Sequence, residues 1–224
     1  MIINKNKNFK QHNTSKRNGA IKYIVIHYVG ATGGAEANVN YYNQPTTTGA
    51  SADFFVGHAG EVWQYNPNPA ARYCWAVGGT NYGGKLYAKV KNNNSISIEM
   101  CVKTKGSKNA NSPDWHFTQE TIAATIELTK YLMDEYDIPA ENVIRHYDVT
   151  GKICPGVVGW NPKSGSEHAW NSFKAAITED ALTIACKKLY KAGVIDSPDY
   201  WARGTGYSEK NVQLLIKKFA AYIK

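Results

Sequence analysis

The sequence predicts an α/β fold: a central mixed β-sheet flanked by helices, followed by a small all-helical C-terminal module. Three observations lead there. Residues 21–28 (IKYIVIHY) are dense in β-branched and aromatic side chains, as a buried strand is. Strand-period and helix-period stretches then follow one another to about residue 177, the pattern of a sheet layered with helices. From Thr178 onward only helical periodicity remains. A chain of 224 residues holds one substantial core, or one domain with a small appendage. The expected domains are 1–177 and 178–224.

The first strand ends in Val29-Gly30, and Gly30, Gly33 and Gly34 break it. A helix is expected over 35–43, stopped by Gln44-Pro45. Residues 51–57 (SADFFVG) and 61–65 (EVWQY), joined by His58-Ala59-Gly60, read as a β-hairpin. Residues 66–94 are rich in turn signals, including Gly78-Gly79 and Gly83-Gly84, and read as one long loop. Trp63, Tyr65, Tyr73, Trp75 and Tyr82 either line a groove there or plug gaps beneath the loops. Residues 95–101 alternate as a strand does, with Ser95, Ser97 and Glu99 on one face and Ile96, Ile98 and Met100 on the other. Residues 103–115 are polar and read as an exposed loop.

Residues 118–136 form the clearest helix, with Thr118 as N-cap and Ile122, Ile126, Leu128, Leu132 and Met133 as its apolar positions. Asp137-Ile138-Pro139 ends it, a short strand over 142–144 leads to His146, and 169–177 closes the unit as a helix. Beyond it, Thr178-Glu179-Asp180 cap a helix running to about Lys191 and closed by Gly193. Ser197-Pro198 opens another turn, a cap followed by proline at the first helical position. Ser208 caps a last helix with Val212, Leu215, Ile216, Phe219 and Ile223 on one stripe. A unit this short barely supports its own core, so it is expected to dock on the first domain, to self-associate, or both.

The net charge is +8 and no acidic residue precedes Glu36, so an anionic partner is expected: nucleic acid, anionic lipid, or a polymer such as a bacterial wall. The basic residues are scattered and match no nucleic-acid-binding motif, which argues against nucleic acid. No apolar run approaches the roughly 20 residues that span a bilayer. The first residues, MIINKNKNFKQHN, lack the apolar core of a secretory signal. Cys74, Cys101, Cys154 and Cys186 form no CxxC pair, so reduced thiols in a cytosolic product are expected, with a Cys74–Cys101 bridge left open.

The chemistry concentrates in residues 146–156 (HYDVTGKICPG), which carry an imidazole, an ammonium and a thiol ahead of a Pro-Gly turn. A loop with Thr150-Gly151 in its middle can curl until His146 and Cys154 face one point. Imidazole nitrogen and thiolate sulfur are the donors Zn²⁺ prefers. His27 is the candidate third ligand, near the C-terminal end of a strand where open α/β sheets place their sites. Taken singly, His27 would be a packed histidine, Cys154 a small buried hydrophobe, Glu99 a solvated carboxylate and Lys152 a surface ammonium. Their joint context is what argues for a site. Asp148 reads as a loop cap in preference to a partner steering an imidazole. His12, His58, His116 and His168 have no comparable context.

VIHYVG around His27, SISIEM around Glu99 and RHYDVTGKICPG over 145–156 resemble the zinc-dependent N-acetylmuramoyl-L-alanine amidases of the type 2 family. That family shares its fold with peptidoglycan recognition proteins and bacteriophage lysozyme amidases, and the resemblance covers roughly residues 20–177. It implies His27, His146 and Cys154 as zinc ligands, Lys152 as an aid to catalysis and Glu99 as the base. The chain departs from the family's pattern in two places. It reads Ser51-Ala52-Asp53 where members often have SAH or GYH, so the tyrosine some amidases use is absent and the burden shifts to Glu99. It reads Trp75-Ala76 where members often have Trp-His.

The resemblance further implies a phage or prophage endolysin that attacks a Gram-positive peptidoglycan. Without a signal peptide it would be made in the bacterial cytoplasm and released to the wall by a partner holin. The helical module would target the wall or form homo-oligomers. Two rivals stand beside this reading. One is a recognition module that binds muropeptide without cutting it, against which Cys154 argues. The other is a structural zinc site in a nucleic-acid-binding protein, which normally takes four protein ligands where only three are found here.

Overall fold

The computed structural model describes residues 1–45, 49–77, 83–110, 112–178, 181–203 and 206–222. They form two compact units, 1–177 and 178–224. In the first, a mixed sheet of six strands has the spatial order β1 (Ile3–Lys5), β5 (Val62–Gln64), β4 (Phe54–Val56), β7 (Ser95–Met100), β3 (Tyr23–Tyr28), β8 (Val143–Arg145). The β4–β5 hairpin is antiparallel, and every other pairing in this sheet is parallel. β2 (Thr14–Lys16) and β6 (Arg72–Cys74) pair separately as an antiparallel ribbon. The helices of this unit are α1 (Ala35–Tyr42), α2 (Gln119–Glu135), α3 (His146–Thr150) and α4 (His168–Thr178).

β3 lies between β7 and β8 and is buried along its whole length. Its even-numbered residues, Ile24, Ile26 and Tyr28, join Ile96, Ile98 and Met100 of β7 in the main core. Leu128 and Leu132 of α2 cover that face, with Trp160, Trp170 and Phe173. Each large side chain buried there contributes about 1.5–3 kcal/mol. The odd-numbered residues Tyr23 and Val25 face the other way, packing with Val77, Val90, Ile144 and Val149. His27 shares their parity and so leaves the main core for the second face.

α2 begins as expected, Thr118 Oγ1 accepting the Thr121 N–H at 3.0 Å. Its deepest stripe differs from the expected one. Thr121, Thr125 and Thr129 are buried alongside Leu128 and Leu132, while Ile122, Ile126 and Met133 are only partly covered. Thr121 Oγ1 donates to Gly57 O (2.9 Å) and Thr125 Oγ1 to Thr121 O (2.7 Å), so two of these three hydroxyls enter the core with partners, while Thr129 Oγ1 has none among the described residues.

Three other expectations are corrected. The long loop over 66–94 contains β6, and two short strands, β1 and β2, precede the first one predicted. The stretch 103–115 is not wholly exposed: Trp115 is buried, its Nε1 donating to Ser107 O at 2.7 Å. Residues 146–150 are helix, not loop. Of the aromatics set against a groove, Tyr65 is a plug, fully buried with its hydroxyl on the His12 and Tyr42 carbonyls. Trp75 is 40 % exposed, and Tyr82 and Gly78-Gly79 lie outside the described residues.

All four cysteines are buried free thiols, so Cys74 and Cys101 are not bridged. Among the described residues no helix is long and apolar enough to cross a membrane.

The second unit comprises α5 (Ala181–Lys191), α6 (Pro198–Ala202) and α7 (Glu209–Tyr222). Ser208 Oγ accepts the Asn211 N–H at 3.2 Å, and Gly193 closes α5 in the left-handed region at φ +70°. Cys186, Val194 and Ile195 are its buried centre, with Leu189, Trp201 and Leu215 against them. Along α7, Val212, Ile216 and Phe219 stay exposed, so the predicted stripe contributes Leu215 to this core. The Glu179-Asp180 cap and Ile223 lie outside the described residues.

Candidate metal centre

Half of the site is built by the sheet. β3 and β7 are parallel in a register that sets His27 directly opposite Glu99, and such neighbours project to the same side. His27 Nδ1 lies 3.9 Å from Glu99 Oε1. Ser97, two residues back on the same face, takes the carboxylate of buried Asp53: Asp53 Oδ2 accepts the Ser97 N–H and Oγ–H, each at 2.9 Å. Asp53 Oδ1 accepts from Asn66 Nδ2 at 2.8 Å. Asp53 thereby ties β4 to β7, while Ala52 of the same SAD triplet is buried and offers no polar group.

The other half follows β8. His146 opens α3, and Asp148 Oδ2 caps that helix by accepting the Arg145 N–H at 2.8 Å. Gly151 ends it in the left-handed region at φ +75°, where a residue with a Cβ would be strained. The chain then doubles back and the Tyr147 N–H donates to Cys154 O at 2.9 Å. That bond is how two residues eight apart come to face each other.

The turn leaves no space behind it. A Cβ on Gly156 would stand 2.7 Å from the Tyr28 hydroxyl. A Cβ on Gly84 would stand 2.5 Å from Asp148 O, and the Leu86 N–H donates to that same carbonyl at 2.9 Å. Residues 84–90 therefore brace α3 directly.

The two halves meet. Ligand atoms of His27, His146 and Cys154 all lie within 4.8 Å of one another, and all three residues are buried. Cys154 Sγ is 3.8 Å from His27 Nδ1, and the two imidazole rings are 4.7 Å apart at 61°. Among the described residues this is the one such group of three or more His, Cys, Asp or Glu.

Burial dominates the electrostatics. It pushes His27 well below the usual imidazole range and His146 down to about 4, the Lys152 ammonium adding to both, so both rings are neutral with a lone pair free at pH 7. Burial raises the Cys154 thiol, and it raises Glu99 to about 8 against the opposing pull of Lys152. His27 Nε2 and Glu99 Oε2 are buried with no hydrogen-bond partner. Uncompensated polar atoms of this kind are costly, so convergent ones point to a bound species. Two neutral imidazoles and a thiol in a small buried cluster fit a zinc ion held by three protein donors.

Lys152 is exposed, and its charge acts on the buried His27, His146 and Cys154 and on the partly buried Glu99. The remaining histidines stay apart, His58 on Val102 O, His116 on Asp114 O and His168 on Ser166 Oγ. Trp75 Nε1 donates to Ser15 Oγ, and its neighbour Ala76 brings no imidazole. The residue that the sequence reading passed over is Arg145, which stood in the quoted motif without a role.

Comparison with known proteins identifies the family. The family model described as N-acetylmuramoyl-L-alanine amidase matches residues 17–157. The amidase CwlL of Bacillus licheniformis is 31% identical over 158 residues, covering 66% of this chain and 41% of its own length. The chain thus spans about two fifths of the curated relatives it matches. A mutant endolysin from Bacillus subtilis is 30% identical with a TM-score of 0.55, over 79% of this chain and 98% of that one. The catalytic domain of XlyA is 29% identical with a TM-score of 0.54, over 79% and 99%. Fold, site and sequence lead to one conclusion: the chain belongs to the N-acetylmuramoyl-L-alanine amidase family.

Proposed function

We propose that this protein is a zinc-dependent peptidoglycan hydrolase of the endolysin type, cleaving the amide between N-acetylmuramic acid and L-alanine. The observation that carries the reading is the convergence of His27, His146 and Cys154 beside Glu99, in a chain of this family. These three residues would hold Zn²⁺. When bound, zinc brings the pKa of a water near 7 and polarises a carbonyl.

The chain's own groups do the rest. Neutral His27 and His146 offer lone pairs at pH 7 without first losing a proton. Burial keeps Glu99 mostly protonated at pH 7 in the metal-free protein; beside a bound cation it would ionise, and could then take a proton from the attacking water and pass it to the departing alanine nitrogen. Lys152, exposed two residues before Cys154, would stabilise the negative charge that grows on the carbonyl oxygen.

Residues 1–177 would be the catalytic domain, and 178–224 a module for wall targeting or homo-oligomerisation; their division into two compact units supports this split. The net charge of +8 favours the anionic polymers of a Gram-positive wall. Synthesis in the bacterial cytoplasm and release through a holin complete the reading.

The test is incubation with purified Gram-positive sacculi, with and without chelator, followed by identification of the new ends. Free alanine amines that vanish with chelator are expected. Reducing sugars would indicate a glycosidase, and binding without cleavage a recognition module.

A further inference from the structure

Arg145 is the last residue of β8, directly before His146, and it is buried. Its guanidinium makes four hydrogen bonds. Nε donates to Asp148 Oδ2 (3.0 Å) and Nη2 to Asp148 Oδ1 (2.7 Å), a two-pronged grip on one carboxylate. Nη1 donates to Trp160 O (2.9 Å) and to Glu167 Oε1 (2.6 Å). The cation also lies 5.3 Å from the Tyr147 ring centre and 4.9 Å from that of Trp170.

These partners belong to three separate pieces of chain. Asp148 is in α3, Trp160 follows the Cys154 turn, and Glu167 immediately precedes α4. The segment carrying His146 and Cys154 is thus closed at both ends, by Tyr147 N–H to Cys154 O within it and by Arg145 to Trp160 O beyond it. Stability alone gives little reason for such a residue, since well-packed apolar side chains often replace a buried ion network without loss. What a guanidinium adds is direction. A lysine ammonium cannot hold both oxygens of Asp148, Trp160 O and Glu167 at once.

We propose that Arg145 is a positioning residue for the metal centre: it sets the spacing between His146 and Cys154 without touching either side chain. The proposal rests on the metal-centre reading above.

The experiment uses the full chain, as wild type, R145K and D148N. Zinc affinity is measured by competition with a chromophoric chelator, ligand geometry by the visible and thiolate charge-transfer bands of bound Co²⁺, and folding by circular dichroism and thermal melting. R145K is expected to fold yet bind zinc about 10–100-fold more weakly, with altered Co²⁺ bands. D148N, which weakens the same grip from the other side, should shift both readouts in the same direction; it decides the matter if R145K does not fold. A folded variant with wild-type zinc affinity and an unchanged Co²⁺ spectrum would overturn the proposal. Wild type that takes up neither metal would instead sink the metal-centre reading itself.

Discussion

The site draws its residues from two kinds of architecture. His27 and Glu99 stand on adjacent parallel strands, so their separation is set by a backbone ladder that runs the length of β3 and β7. His146, Lys152 and Cys154 ride on a turn, where one backbone bond and a side-chain network do the same task. The strand half is held by many interchangeable bonds, and the turn half by a few that are not. Loss of Glu99 from the strand half should therefore leave the site assembled but inert, whereas loss of a metal donor, or of the few bonds that hold the turn, should disassemble it.

The largest effect is expected for Cys154→Ala, which removes a donor from the turn half: zinc uptake and wall clearing should both be lost. Retained zinc at wild-type stoichiometry would break the comparison. Glu99→Gln should keep zinc and lose about 10²–10⁴ in turnover, the usual share of a general acid–base group. Metal analysis beside a turbidity assay separates the two variants.

Lys152→Met should cost up to about 10²-fold in turnover with zinc retained, as for loss of one charge-stabilising donor. A rise in KM with kcat unchanged would move Lys152 to substrate binding.

The smallest effect is in protons. At pH 7 the metal-free thiol of Cys154 is protonated and Glu99, near 8, mostly so, while both histidines are neutral. Zinc uptake should therefore release about one proton from Cys154 and most of a second from Glu99. Titration calorimetry in buffers of different ionisation heat should show the second disappear in Glu99→Gln.

Acid has a related effect on the metal-free protein. Both histidines have lowered pKa values, so below about 6.5 the unfolded chain takes up protons that the fold refuses. Stability should fall as pH drops from there towards 4, and a melting temperature that rises over that interval would contradict the burial of these rings.

Much of this was legible beforehand, for physical reasons. β3, β7 and α2 are long and periodic, and burial of one face writes itself into composition. β1, β2 and β6 have only three residues each and carry polar or basic side chains, so their pairing depends on neighbours far along the chain. Trp115 sits in a polar stretch, and nothing local announces that it folds inward. Of the site, the residue types at 27, 99, 146, 152 and 154 were readable through the family resemblance. Arg145 was not, because its partner Glu167 is 22 positions away and the contact exists only once α4 has packed.

Gly84 and its brace have one more consequence. Tyr87, Ala88 and Lys91 form a recess of about 250 Å³ against Val149 and Thr150, at the far end of α3 from His146. The support of the helix that carries His146 thus ends, one helical turn away, at the wall of an open recess.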